Sequence, residues 1–171
     1  MRIVTIVLFL AVFAISSYLS HASSSKTLEG TVAKVLDGDT FLLLSDSKNI
    51  KVRLFGIDAP EVRRKLVPGQ PFGSEAKRAL ENKVAGQKVT VEVVDVDKNL
   101  LVIGAVKIGG RDIDREMLEE GWAWAYRQLL KEPFASRYIS AENKARKMRL
   151  GLWRQVNPLP PWSFRLEQKI H

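Results

Sequence analysis

Three carboxylates and one guanidinium fall at or near the ends of short apolar runs in the first half of the chain. These residues are Asp39, Arg53, Asp58 and Glu61. Carboxylates that folding brings together repel one another, so a cluster of three implies a cation between them, and a hard, oxygen-seeking ion such as Ca²⁺ fits. An arginine beside such an ion suits a phosphate ester, because the planar guanidinium matches two phosphate oxygens. The combination predicts metal-assisted hydrolysis of phosphodiester bonds.

The composition narrows the chemistry further. The 171 residues include no cysteine and two histidines, His21 and His171, which lie far from the acidic residues in the sequence. A thiol nucleophile, a disulfide framework and a zinc–thiolate site are therefore excluded, and a Ser-His-Asp triad is disfavoured. The formal net charge of +8 favours a polyanionic partner such as nucleic acid. A generic basic surface would explain the same charge.

The first 22 residues have the features of a cleaved secretory signal peptide. Arg2 precedes the apolar run 3–19, and the small residues Ser20 and Ala22 mark a cleavage site. An uncleaved anchor is the alternative, but the run is shorter than the roughly 20 residues of a spanning helix. We therefore expect a secreted or periplasmic protein, without stable membrane association after cleavage, in a compartment where Ca²⁺ can fill a weak site.

The rest of the chain predicts one α+β domain over residues 23–156 and a proline-rich tail over 157–171. Strands are expected at 28–36, 40–44, 50–57, 88–94 and 101–108, and helices at 74–85, 114–120 and 134–148. Asp37-Gly38 predicts a type I′ hairpin turn, and Ser74 is the expected helix cap. The strands and helices do not alternate as βαβ units, which favours the α+β class. The tail is expected to be extended and to fray after Phe164.

An ordered set of motifs resembles the staphylococcal-nuclease-like (thermonuclease) family over about residues 28–153. In chain order the motifs are DGDT at 37–40, RLFGIDAPE at 53–61, QPFGSEA at 70–76, GGRDI at 109–113 and EGWAWAY at 120–126, and the tail motif NPLPPW follows at 157–162. The resemblance implies a five-stranded OB-fold β-barrel with three helices. It also implies a monomeric, calcium-dependent endonuclease that cleaves DNA with low sequence specificity, with RNA left open as a second substrate.

The resemblance also implies a role for each residue of the acidic cluster. Asp39, Asp58 and the carbonyl oxygen of Ala59 would hold Ca²⁺. Glu61 would orient or deprotonate the attacking water, and Arg53 would contact the phosphate. The residue types alone leave structural alternatives open. Asp39 can complete a turn, Asp58 can accept turn hydrogen bonds before the proline, and both Glu61 and Arg53 can simply face solvent.

Further nucleic-acid contacts are predicted in two places. Arg63 and Arg64 belong to a basic loop that could clamp the backbone, although basic loops are commonly only solvated. The resemblance places Tyr126 in the nucleotide pocket, where an aromatic ring could stack on a base. Trp122 and Trp124 could stack in the same way, but packing in the core explains them more simply.

One position departs from the family pattern. Active members carry a second arginine at the start of the fifth strand, and an alignment without gaps places Leu101 there. Three explanations stay open: a slow enzyme, a substitute cation such as Lys98 or the loop 63–65, or a site that binds without cutting. The alternative to a nuclease is therefore a catalytically weakened or inactive nucleic-acid-binding OB module. A calcium-dependent interaction domain of the envelope is a third hypothesis.

Overall fold

A computed structural model describes residues 26–65 and 68–170, so the predicted signal peptide lies outside the described residues. The strands are β1 (Thr27–Asp37), β2 (Thr40–Ser45), β3 (Lys48–Leu54), β4 (Ile57–Asp58), β5 (Lys88–Val96), β6 (Val102–Ile108), β7 (Arg111–Asp112) and β8 (Trp124–Ala125). The helices are α1 (Gly73–Val84), α2 (Ile113–Glu119), α3 (Phe134–Lys147) and α4 (Pro161–Ile170). A short 3₁₀ turn at Gly151–Arg154 follows α3.

Five of the strands close into a barrel. Their order is β3-β2-β1-β5-β6, and β3 pairs in parallel with β6 to complete the circle. The 11-residue strand β1 carries two register shifts and pairs with β2 on one side and β5 on the other. Such irregularities bend a strand, which a small barrel requires. The predicted α+β class and the five-stranded OB-fold barrel are confirmed.

The core fills the barrel and the space beneath α1 and α3. Alternate strand residues point inward, as the pleat requires. The fully or almost fully buried members include Val32, Val35, Phe41, Leu43, Val52, Leu54, Val89 and Val91. Helix α1 contributes Ala76, Leu80 and Val84 at helical spacing, each fully buried. The alternation and the helical stripe are the features that made these elements predictable.

The first hairpin turn differs from the prediction. A type I′ turn at Asp37–Gly38 is wrong, since neither residue has a positive φ. A β-carbon on Gly38 would lie 2.7 Å from that of Ala59 and 2.8 Å from that of Ala76. Glycine is therefore needed there for close packing. Two consecutive residues with positive φ lie instead in the next hairpin, at Asp46–Ser47.

The tail also differs from the prediction. The expected extended strap is a helix, α4, so the described residues contain four helices where three were predicted. Pro161 suits the first position of a helix because its fixed φ is helical and it has no N–H to satisfy. The ring of Trp162 packs 5.7 Å from that of Trp124 and 5.5 Å from that of Tyr126. These contacts stabilise a segment too short to be helical alone.

The apolar content of the helices bears on the membrane prediction. In the part of the chain that the structure describes, no helix has both the length and the hydrophobicity needed to cross a bilayer.

Asp114, near the start of α2, is fully buried and links the segment after β3 to strand β6. Its Oδ1 accepts a hydrogen bond from the backbone N–H of Phe55 at 2.7 Å, and its Oδ2 accepts one from that of Val106 at 2.8 Å. Burial raises the pKa of the Asp114 carboxyl well above its ordinary value. Without this side chain, the N–H of Val106 would lose its side-chain acceptor, and the N–H of Phe55 would keep only its 3.0 Å hydrogen bond to the carbonyl of Gly104.

We expect Asp114→Ala to lower the free energy of unfolding by about 1–3 kcal/mol, the cost of leaving one buried N–H, that of Val106, without its side-chain acceptor. Urea denaturation of parent and variant measures the difference. Asp95→Ala is the matched control, since Asp95 is exposed and its change should stay within about 0.5 kcal/mol. Equal stability of the two variants would contradict the structural role of Asp114.

Candidate active site

The pairing of β2 with β3 brings Asp39 and Arg53 together. Thr40 lies directly opposite Arg53 in the antiparallel register. The hydroxyl of Thr40 donates to Asp39 Oδ1 at 2.6 Å and accepts from Arg53 Nε at 3.4 Å. Arg53 Nε lies 3.9 Å from Asp39 Oδ1. The Asp39 side chain is 7% exposed and that of Arg53 is 45% exposed, so a buried carboxylate sits beside a guanidinium that solvent can reach.

Asp58 approaches Asp39 from the other side. It ends the short strand β4, which pairs with β8 so that Asp58 faces Trp124. The next residue, Ala59, donates its backbone N–H to Asp39 Oδ2 at 3.2 Å and links the two acidic segments. Burial raises the pKa of Asp58 to about 6, and the negative charge of Asp39 contributes to the increase. The two carboxylates are therefore close enough to repel each other.

Gln70 fixes the backbone of Glu61 through two hydrogen bonds. The N–H of Glu61 donates to Gln70 Oε1 at 3.0 Å, and the carbonyl of Glu61 accepts from the N–H of Gln70 at 2.9 Å. A β-carbon at Gly73 would collide with that carbonyl, so helix α1 can begin here only with glycine.

The predicted cap at Ser74 is wrong: α1 begins at Gly73, after Phe72 with φ 69° and no side-chain cap.

Arg165 of α4 reaches into the acidic cluster, which the sequence analysis did not foresee. Its Nη1 donates to Asp58 Oδ1 at 3.0 Å and to Glu61 Oε1 at 2.7 Å, and its Nη2 donates to Asp58 Oδ2 at 2.7 Å. These carboxylates raise the pKa of the guanidinium above its already high ordinary value. The chain separation exceeds a hundred residues, and no motif around Arg165 signals the contact.

The basic loop after Glu61 reaches the edge of the cluster. Arg64 Nη2 donates to Asp37 Oδ2 at 3.0 Å and lies 3.9 Å from Glu61 Oε2. Arg63 is exposed and makes no hydrogen bond or ion pair with the described residues. The loop therefore places one of its two predicted arginines at the site, while the other points to solvent.

The aromatic residues divide between core and surface. Trp124 is buried, with its ring 4.4 Å from that of Trp153, as the packing interpretation predicted. Tyr126 is partly exposed, and its hydroxyl donates to Gln128 Oε1 at 3.1 Å. The ring of Tyr126 also contacts Trp162 of α4. Helix α4 thus lies over both Tyr126 and the acidic cluster.

Leu101 brings no charge to the site. It is buried just before β6, and its backbone N–H donates to Asp97 Oδ1 at 2.8 Å. Lys98, a predicted substitute cation, is exposed and forms no ion pair with any residue of the described ranges. Among the cations observed, Arg53, Arg64 and Arg165 approach the carboxylates. Arg165 forms the most extensive hydrogen bonding with them.

The donor atoms suit a hard cation. Asp39, Asp58 and the backbone carbonyl of Ala59 offer oxygen ligands, the type that Ca²⁺ prefers. Two adjacent buried carboxylates also need a positive charge nearby. Over residues 26–65 and 68–170, no three His, Cys, Asp or Glu side chains form a ready-made metal centre. The chemistry of the donors fits Ca²⁺, and Arg165 engages both oxygens of Asp58 in this arrangement.

The elevated pKa of Asp58 leads to a prediction about stability. Because burial raises the pKa from 3.8 to about 6, the folded state binds this proton more tightly than the unfolded state. The stabilisation is complete below about pH 4 and is lost as the pH rises through about 6. We expect the unfolding free energy of Asp58→Asn, relative to that of the parent, to increase by about 2–3 kcal/mol from about pH 4 to neutral pH.

Urea denaturation with EDTA at several pH values measures this difference. The slope of this difference with pH reports the change in proton binding, so any loss of stability that is the same at every pH does not affect it. A difference that stays flat or decreases with pH would contradict the assigned pKa.

A barrel of the OB type that gathers acidic and basic side chains at one place belongs to a class of folds that commonly bind oligonucleotides. The chain belongs to the family described as "Staphylococcal nuclease homologue", whose model matches residues 51–155. This membership confirms the resemblance seen in the motifs and the assignment of the chain to the nuclease enzymes.

Individual relatives match over most of their length. The chain is 39% identical over 149 residues to "Micrococcal nuclease" of Shigella flexneri, which covers 82% of each chain. It is 33% identical over 166 residues to an "Uncharacterized endonuclease" of Haemophilus influenzae, covering 96% of this chain and 88% of the relative. It is also 33% identical over 139 residues to an "Uncharacterized endonuclease" of Escherichia coli, covering 81% and 85%.

Proposed function

We propose that this protein is a calcium-dependent nuclease that hydrolyses phosphodiester bonds of DNA with low sequence specificity, with RNA as a further substrate to be tested. The observation that carries the proposal is the convergence of Asp39, Asp58 and Glu61 with Arg53 at one place on the barrel. The family supports the reaction class. The oxygen-rich donor set supports the choice of Ca²⁺.

In this proposal Asp39, Asp58 and the carbonyl of Ala59 hold the ion. When bound there, Ca²⁺ supplies positive charge that polarises a phosphate oxygen. Glu61 takes a proton from the attacking water. The two hydrogen bonds between the backbone of Glu61 and Gln70 fix the position from which its carboxylate extends. Arg53 binds the phosphate with its solvent-facing N–H groups, because the buried Asp39 and Thr40 hold only one edge of the guanidinium.

The surroundings of the site extend the proposal to substrate and location. Arg64, at the edge of the acidic cluster, and the exposed Arg63 supply positive charge along the substrate path. Tyr126 offers a ring for base stacking when Trp162 of α4 does not cover it. The predicted signal peptide supports a secreted or periplasmic protein. We propose that it acts there as a monomer.

A second candidate function is binding of nucleic acid without cleavage. The buried Leu101 favours it, because the position brings no cation to the site and one electrostatic donor can be worth about 10²–10³ in rate. The retained carboxylates and Arg53 favour the enzyme.

The test uses the mature chain from Ser23 on with fluorescently labelled single-stranded DNA, in millimolar Ca²⁺ or in EDTA. Cleavage that requires Ca²⁺ supports the nuclease. Binding measured by fluorescence anisotropy at low salt, without cleavage, supports the second candidate. The absence of both would overturn each of them.

A further inference from the structure

Both oxygens of Asp58 are engaged by a single side chain from the end of the protein. Arg165 holds them in a two-pronged pair at 3.0 and 2.7 Å and holds Glu61 with a third hydrogen bond at 2.7 Å. The Asp58 side chain is 10% exposed and that of Arg165 is 41% exposed. The guanidinium therefore closes the solvent side of a buried carboxylate.

A guanidinium in this position and a directly bound metal ion would both interact with the carboxylate oxygens of Asp58. Ca²⁺ takes carboxylate oxygens as ligands at about 2.3–2.6 Å, and two positive charges on one carboxylate repel each other strongly where the site is partly buried. Each carboxylate oxygen keeps a second lone pair, but an ion bound there would lie close to the guanidinium, and the repulsion between the two cations would weaken both interactions. Ion binding and the Arg165 pair are therefore in competition.

Helix α4 is attached in a way that permits release. Its main contacts are Trp162 against the rings of Trp124 and Tyr126, and Leu159, just before the helix, whose carbonyl accepts from Gln70 Nε2 at 3.1 Å. The preceding segment 155–160 has no regular structure, and Leu166, on the helix itself, is 60% exposed. The packing of the helix is concentrated in Pro161, which is buried, and in Trp162, whereas residues 166–168 are exposed. A short helix held through so few residues can open locally without unfolding of the barrel.

We propose that α4 is an autoinhibitory latch: Arg165 competes with a divalent cation for Asp58, and binding of the cation releases the helix from Tyr126 and the acidic cluster. This inference rests on the proposed function, because the competing ion is the proposed Ca²⁺. A role for Arg165 as a phosphate contact is disfavoured, since three of its five N–H donors are committed to carboxylates.

The first measurement is isothermal titration of CaCl₂ into the mature parent chain and into Arg165→Gln. If the latched form is populated at about 90% or more, the variant should bind Ca²⁺ roughly tenfold more tightly or better. Arg154→Gln is the matched control, because it removes the same charge from an exposed position without a polar contact to the described residues. It should bind Ca²⁺ like the parent.

The second measurement is hydrogen–deuterium exchange of the segment 161–170 in the parent chain and in Arg165→Gln. If α4 is released when Ca²⁺ binds, Ca²⁺ should accelerate the exchange of this segment in the parent. If Arg165 only adds positive charge near the ion site, Ca²⁺ should leave the exchange unchanged. In Arg165→Gln the exchange should already be fast in EDTA. Cleavage of labelled DNA by Arg165→Gln should equal or exceed that of the parent at limiting Ca²⁺.

The outcomes separate the two proposals. Equal Ca²⁺ affinity of parent and variant, or slow exchange that Ca²⁺ leaves unchanged, would overturn the latch while the nuclease stands. Slower cleavage by Arg165→Gln at saturating Ca²⁺ would overturn it in favour of a phosphate contact. If neither chain binds Ca²⁺, the latch and the calcium dependence of the proposed function both fail.

Discussion

Replacing Asp39 with asparagine is expected to lower the rate of calcium-dependent DNA cleavage by at least about 10³-fold. The change removes one of the two buried carboxylates proposed to hold the ion, and a metal's electrostatic contribution of several kcal/mol corresponds to three or more decades in rate. Asparagine has nearly the same shape and keeps one oxygen that can accept the hydrogen bond from Ala59. The effect should therefore be electrostatic and leave the fold intact. Steady-state kinetics on labelled DNA measure it as kcat/KM.

The matched control for this substitution is Asp46→Asn. Asp46 is exposed in the turn between β2 and β3 with φ 47°, a conformation that asparagine tolerates well. The control makes the same chemical change to the same net charge, so its cleavage rate should match that of the parent. Asp39→Asn with rates equal to this control would remove Asp39 from the mechanism.

Replacing Arg53 with glutamine is expected to reduce kcat/KM by about 10²–10³-fold, the usual effect of losing one positioned donor to a charged transition state. Arg53 lies beside Asp39 but keeps a large part of its side chain in solvent, so it can contact a phosphate while the carboxylates remain in place. If the contact strengthens in the transition state, kcat falls together with kcat/KM. If it binds substrate and transition state equally, only KM rises.

Lys51→Gln is the control, because Lys51 is an exposed cation two residues away on the same side of β3. Both variants lose one positive charge from the same strand, and general attraction to DNA should weaken equally in both. A larger loss in Arg53→Gln than in Lys51→Gln isolates the local contact. Similar losses in the two variants would show that Arg53 contributes only to the overall charge.

The sequence was a good guide where local patterns and tertiary structure agree. Alternating apolar residues predicted the barrel strands, and the helical stripe of Ala76, Leu80 and Val84 predicted α1. It was a poorer guide where a residue serves a distant neighbour. Gly38 is required by close packing against Ala59 and Ala76, which lie far along the chain, whereas the Asp-Gly pair locally favours a type I′ turn.

The carboxylates could be recognised from the sequence because three of them, with one arginine, lie at or near the ends of short strands. The residues that meet at the site come from neighbouring segments of the chain. Asp39 and Arg53 meet through simple antiparallel register, and Asp58 and Glu61 follow within a few residues. The carboxylate donors, the absence of cysteine and the basic net charge therefore indicate phosphodiester chemistry from the sequence alone.

Two features could be known only from the tertiary structure. Asp114 was predicted only as the first residue of a short helix, yet its buried carboxylate accepts hydrogen bonds from two N–H groups of the barrel. Arg165 was placed in a fraying tail, yet packing of Trp162 on Trp124 and Tyr126 turns that tail into a helix aimed at Asp58. Local propensities carry no record of contacts across a hundred residues. The kind of chemistry open to this protein follows from its residue types, while the positive charge that Arg165 brings to the acidic cluster depends on how α4 packs on the barrel.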